Sequence, residues 1–165
     1  MSVGVVFETH STTEDNENGV MTGWLPGRLS AAGRAQAAEL GERRADLTTI
    51  FASDLGRAVE TARIAFPGRD VLLDWRLREC DYGELNGTPK EHRDAYPGGE
   101  SWQQAVARVH RFLDELVATR DGGRVLVIGH MATRYGIATY ASGRTLEDVL
   151  AEEFVWQPGW EHVIG

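Results

Sequence analysis

A single cysteine, Cys80, in 165 residues excludes an intramolecular disulfide and any cluster of thiolates around a metal. Long apolar runs are missing as well: nowhere do the roughly 18 consecutive apolar residues of a membrane span occur. Positive charge is scarce, with 17 Lys and Arg against 25 Asp and Glu and a net charge of -8. A nucleic-acid backbone would be repelled, and no Lys/Arg run offers a local exception. The longest basic cluster, Arg43-Arg44, falls in a helical pattern and reads as a solvated face. No G-x-G-x-x-G follows the first strand and no G-x-x-x-x-G-K-[ST] occurs, so no nucleotide cofactor is called for. The start, Met1-Ser2-Val3-Gly4, has neither a basic n-region nor an apolar h-region, which predicts a cytoplasmic protein.

What is present is ordinary globular material, 42% hydrophobic and 25% charged, of a length that fits one domain over residues 1–165. Val3 to Phe7 is a short apolar run without helical spacing, a buried strand. Leu29, Gly33, Ala37 and Leu40 recur at helical spacing, with Ser30 as N-cap. Thr49 to Ala52 reads as a second strand. Ser53-Asp54 then caps a helix through Arg57 and Thr61 towards Phe66. Val71 to Leu73 is a third strand, and Thr88-Pro89-Lys90-Glu91 has the form of a capping box that opens a brief helix. Trp102, Ala105, Val106, Val109, Leu113 and Leu116 make a helical stripe. Val125 to Ile128 is a strand that delivers Gly129-His130, followed by helices from Met131 towards Ala141 and from Thr145 to about Leu150. Strands alternating with helices predict an α/β fold, a mainly parallel sheet with helices on both faces in three α/β/α layers. Ligands of such sheets sit beyond the carboxyl ends of the strands, where both His10 and His130 fall.

Four segments place polar groups just after strands: Thr9-His10-Ser11, Ser53 to Arg57, Glu79 and Gly129-His130. Two imidazoles, one guanidinium and one carboxylate suit a phosphate ester: an imidazole can attack phosphorus, a cation offsets the oxygens, and an acid protonates the leaving oxygen. Arg57 also stands near a predicted helix N-terminus, where backbone N–H groups favour an anion.

These segments resemble the histidine phosphatase superfamily, with its phosphoglycerate mutase-like fold. That family opens on strand-Arg-His-Gly with an asparagine downstream; this chain has Thr9-His10-Ser11 and Asn16. The family's Ser-Asp-Leu-x-Arg-Ala-x-x-Thr string is matched without a gap by Ser53 to Thr61. Its Leu-x-Glu is matched by Leu77-Arg78-Glu79, and Pro97-Gly98-Gly99-Glu100-Ser101 and the strand ending in His130 follow in order. The resemblance spans roughly residues 3–140.

The resemblance implies a covalent, metal-independent phosphomonoester hydrolysis, on a small phosphorylated metabolite. His10 would become phosphohistidine, Arg57 and His130 would hold phosphoryl oxygens, Asn16 would contact phosphate, and Glu79 would act as general acid and then activate water. No metal, cofactor, nucleic acid or membrane enters, and the protein would be a monomer or homodimer. Thr9 and Ser11 depart from the pattern. Threonine offers the phosphate a hydroxyl where the family has a guanidinium, which makes Arg28 and Arg134 the candidates to compensate. Two competing expectations are a catalytically impaired member that binds a phosphorylated ligand, and a phosphoglycerate mutase-type phosphotransferase. Only nine residues, Thr88 to Tyr96, separate Gly87 from Pro97, a short lid that favours hydrolysis over protected transfer. Trp24 is placed to line the pocket, and Trp156 and Trp160 to pack a C-terminal tail. Cys80, His92 and His110 carry no assigned chemistry.

Overall fold

The structure is a computed structural model and describes residues 2–165; Met1 of the expected 1–165 domain lies outside the described residues. Four parallel strands, β1 (Val3–Thr9), β3 (Thr49–Ala52), β4 (Leu72–Leu73) and β6 (Arg124–Gly129), form a sheet in the order β4-β3-β6-β1, which β7 (Trp160–Ile164) extends by pairing antiparallel with β1. A separate two-stranded ribbon joins β2 (Val20–Met21) to β5 (Thr88–Pro89).

Strand periodicity gives the sheet two packed faces, and a third buried cluster gathers Met21, Cys80, Tyr82, Tyr96 and Trp102. Val3, Val5, Phe7, Val125 and Val127 face α4 (Trp102–Thr119) and α5 (Met131–Ser142), through Val109, Phe112, Leu113, Leu116 and Ile137. Val6, Ile50, Ala52, Leu126 and Ile128 face α2 (Ala31–Arg43) and α3 (Gly56–Ala65), through Leu40, Ala58 and Ala62. Helices therefore cover both faces of a mainly parallel sheet, the three-layer arrangement expected. Short helices α1 (Glu14–Glu17) and α6 (Leu146–Leu150), the latter capped by Thr145, complete the chain. α4 starts on a capping box between Ser101 and Gln104.

Two expectations are corrected. Thr88-Pro89 opens no helix: the Thr88 hydroxyl donates to the Leu85 carbonyl at 2.7 Å, and the Lys90 N–H donates to Gly19 O at 2.9 Å, completing the ribbon. The hydroxyl and backbone that would have capped a helix are thus already used. At α3 the cap residue is Leu55, not Ser53 or Asp54. Ser53 is taken by His130 and Asp54 by Arg78.

Candidate active site

Parallel pairing of β1 with β6 puts Thr9 opposite Gly129, so His10 and His130 leave the sheet side by side. The His10 N–H donates to Gly129 O at 2.9 Å, and the ring centroids are 5.0 Å apart. Gly129 has no room for a side chain, since a Cβ there would lie 2.4 Å from Thr133 Oγ1.

His10 Nδ1 is 2.7 Å from the Ser11 carbonyl oxygen. A carbonyl only accepts, so Nδ1 carries the proton and Nε2 keeps its lone pair. Burial, and next the positive Arg57, push the His10 pKa down to about 3, which leaves the ring neutral at physiological pH. His130 is fully buried; its Nε2 meets Ser53 Oγ at 2.8 Å, and its N–H donates to Thr133 Oγ1 at 2.9 Å. Burial, then Arg57, then His10 hold its pKa well below the ordinary value. Its Nδ1 is buried without a hydrogen-bond partner among the described residues.

Arg57, on the first turn of α3, is buried and forms no ion pair among the described residues. Nη1 donates to Leu25 O and Nη2 to Gly23 O, each at 2.8 Å. The turn that presents these carbonyls depends on Gly23, at φ +57°, where a Cβ would fall 1.8 Å from Asn86 Oδ1. Burial depresses the Arg57 pKa. Two neutral carbonyls orient this guanidinium without cancelling its charge, the condition for attracting an anion. α3 is tied to the loop after β1 by Thr61, whose Oγ1 accepts the Ser11 N–H at 3.0 Å and donates to Arg57 O at 2.8 Å. The Ser53 to Thr61 string thus works through three residues: Ser53 on His130, Arg57 on the 23–25 turn, Thr61 on Ser11.

Glu79 is buried at the N-terminus of α5. Its Oε1 accepts the N–H groups of Cys80 at 2.9 Å and Ala132 at 3.1 Å, while Oε2 has only a long contact to the Met131 N–H, 3.4 Å. Oε2 is therefore the less engaged of the two oxygens. The Glu79 carbonyl is fixed by two donors, Trp24 Nε1 and Arg108 Nη2, each at 2.7 Å. Trp24 thus bears on the site by holding the Glu79 backbone.

Thr9 is half-buried at the end of β1, and neither its hydroxyl nor that of buried Ser11 forms a hydrogen bond among the described residues. Asn16 is exposed on α1, its Oδ1 accepting the Thr13 N–H at 3.0 Å in a capping box. Arg28 does not reach inward: its side chain is 76% exposed and Nε donates to Glu14 at 2.7 Å. A surface carboxylate, Glu14, is the partner the structure gives this candidate for the compensating cation. Arg134 lies over the rings of Trp160 (5.1 Å) and Phe154 (5.6 Å). Trp160 packs against Phe7 as expected of the tail, whereas Trp156 is exposed.

Sequence reasoning missed Arg108. This fully buried arginine on α4 makes a two-pronged ion pair with Glu100 (Nε to Oε2 2.9 Å, Nη2 to Oε1 2.7 Å) and donates to the carbonyls of Arg76, Arg78 and Glu79. The signal was a charge inside the apolar stripe of α4, with a glutamate in the Pro97-to-Ser101 string to meet it.

The family model for the histidine phosphatase superfamily (branch 1) matches residues 6–154. A probable phosphoglycerate mutase GpmB of Enterobacter sp. (strain 638) is 33% identical, with 85% of this chain and 78% of that protein covered. A mycobacterial glucosyl-3-phosphoglycerate phosphatase solved with VO3 superposes with a TM-score of 0.77 at 26% identity, covering 89% of this chain and 84% of that one. Bacillus stearothermophilus YhfR shares the fold, with a TM-score of 0.85 at 23% identity over 96% of this chain and 90% of its own. With its paired strand-end histidines and buried arginine in the family's order, this chain belongs to the histidine phosphatase superfamily.

Proposed function

We propose that the protein is a metal-independent phosphomonoesterase that works in the cytoplasm through a phosphohistidine on His10. The observation that carries this reading is the neutral His10, its Nε2 unengaged, beside the buried and unpaired Arg57. A phosphoryl group placed there meets a lone pair and an uncancelled positive charge together.

In the first step the Nε2 lone pair forms a bond to phosphorus as the ester P–O bond breaks, and Glu79 Oε2 gives a proton to the leaving oxygen. Arg57 and the unpartnered Nδ1 of His130 hold phosphoryl oxygens, joined by the Thr9 and Ser11 hydroxyls and the free amide nitrogen of Asn16. In the second step Glu79 takes a proton from water, whose oxygen attacks phosphorus and breaks the N–P bond. The segment from Pro89 to Ala95 is exposed, and Tyr96 and Trp102 anchor its far end, which favours water as acceptor over a sequestered second alcohol. The mycobacterial phosphatase solved with VO3, an anion of phosphoryl shape, agrees with such a pocket.

The test is hydrolysis of an aryl phosphate by the intact protein and by His10→Ala, with a search for acid-labile phosphate on the chain after rapid quenching. Activity and a trapped phosphohistidine, both lost in the variant, are expected. Equal activity in the two proteins would remove His10 as nucleophile. Phosphate binding without turnover in the intact protein would support the second reading, a phospho-ligand-binding member, which the loss of a guanidinium at position 9 motivates.

A further inference from the structure

Most half-buried and buried arginines among the described residues hold carboxylates: Arg43 and Arg44 bind Glu8, Arg76 binds Asp74, Arg78 binds Asp54 and Arg108 binds Glu100; Arg69 and Arg120 instead lie over Phe66 and Phe51 and donate to Leu47 O and Thr49 Oγ1. Arg57 departs from this rule for the reason given above. Arg134 departs from it as well. It is half-buried, it forms no ion pair among the described residues, and its Nε is buried without a hydrogen-bond partner. Its guanidinium lies instead over Trp160 and Phe154.

The position is next to the phosphoryl site and not within it. Arg134 sits one turn into α5, whose N-cap is His130, on the side that meets β7. Trp160 pairs with Phe7, so the residues before β7, Phe154 included, run past the carboxyl end of β1 where His10 begins. Burial and then the charge of Arg134 lower the pKa of His162 on β7, whereas after burial the charge that acts on both His10 and His130 is that of Arg57. The contact of α5 with β7 and the rings of Trp160 and Phe154 under the guanidinium put Arg134 on the β7 side of α5. A guanidinium stacked on aromatic faces keeps its N–H edge open and fixed in plane, the geometry that grips an oxyanion with two parallel hydrogen bonds.

We propose that Arg134, bedded on Trp160 and Phe154, is a second anion subsite that receives a carboxylate or further phosphoryl group carried by the leaving-group side of the substrate. The preferred substrates are then phosphomonoesters with a second negative charge. This inference rests on the phosphatase reading above.

Matched substrates test it: 3-phosphoglycerate against glycerol 3-phosphate, and 4-carboxyphenyl phosphate against phenyl phosphate. Arg134→Gln should lower kcat/KM for the charged member of at least one pair by about 10- to 100-fold, the worth of a charge-assisted bidentate contact, and leave the neutral member within about threefold. Phe154→Leu, at an exposed position that spares the core, should shift the same substrate in the same direction by less. Equal loss on both members of each pair would overturn the subsite and assign the guanidinium to the transferred phosphoryl group, as the stand-in for the missing arginine at position 9. No loss on any substrate would also overturn it. If the intact protein hydrolyses none of the four and forms no phosphohistidine, the phosphatase reading itself fails; hydrolysis without discrimination sinks only the subsite.

Discussion

Two arginines, Arg57 and Arg108, are both buried and both act electrostatically on His130, yet their surroundings differ. Arg108 is neutralised by Glu100 and further bound by three carbonyls, which converts a costly buried charge into a clamp across residues 76–79. Arg57 receives two carbonyls and, among the described residues, no carboxylate. The pair separates two uses of one side chain. A guanidinium whose charge is cancelled within the protein builds structure; one whose charge is left over is available to a ligand.

The contrast can be broken most forcefully at Arg108. Arg108→Leu strands Glu100 and three carbonyls, and should cost about 3–5 kcal/mol of stability, read as a large fall in the urea midpoint. A loss below about 1 kcal/mol would mean that the clamp is ornamental. Arg57→Gln should do the reverse. Its amide can still donate to a carbonyl of the 23–25 turn, so the urea midpoint should move much less than in Arg108→Leu, while kcat falls by about 10²–10³-fold. Comparable loss of stability in the two variants would erase the distinction drawn between them.

A smaller effect sharpens the same point through the histidines that burial and then Arg57 keep neutral. The folded pKa of His10 is near 3 against an ordinary value of about 6.5. Below about pH 6.5 the unfolded chain therefore binds a proton that the folded site refuses. Stability from this source is complete above that pH and is lost as pH falls towards 3. His10 alone should remove on the order of 2 kcal/mol between pH 7 and pH 5, with His130 adding to it in the same direction. Urea titrations at the two pH values check this, and His10→Ala should shrink the difference. An unchanged difference in the variant would mean that His10 titrates normally.

Much of this was legible in the sequence for physical reasons. Val125 to Ile128 and Val3 to Phe7 are buried on both faces and so read as unbroken apolar runs, which fixed the two strand ends that present His10 and His130. The stripe from Trp102 to Leu116 announced α4 because one side of a helix must stay apolar to cover a sheet. What was illegible depended on partners distant in the chain. Thr88-Pro89 has the letters of a cap, but its hydroxyl and its neighbour's N–H were claimed by Leu85 and Gly19. β7 alternates exposed and covered residues over five positions after a turn, too short a pattern to stand out before β1 is known to need an edge partner. Arg108 drew no notice beside the apolar stripe, because its role depends on Glu100 and on the carbonyls from 76 to 79 that close around it. Arg28 and Arg134 were indistinguishable as letters; Glu14 sequesters the first, while two aromatic rings hold the second.

The antiparallel pairing of β1 with β7 has a consequence for how the molecule comes into being. The strand that delivers His10 is made first, yet it lies between β6 and β7, which are made more than a hundred residues later. Contacts so far apart along the chain close slowly and late. During synthesis and refolding the strand that ends at His10 therefore stays without either sheet neighbour until β6 and then β7 have been made.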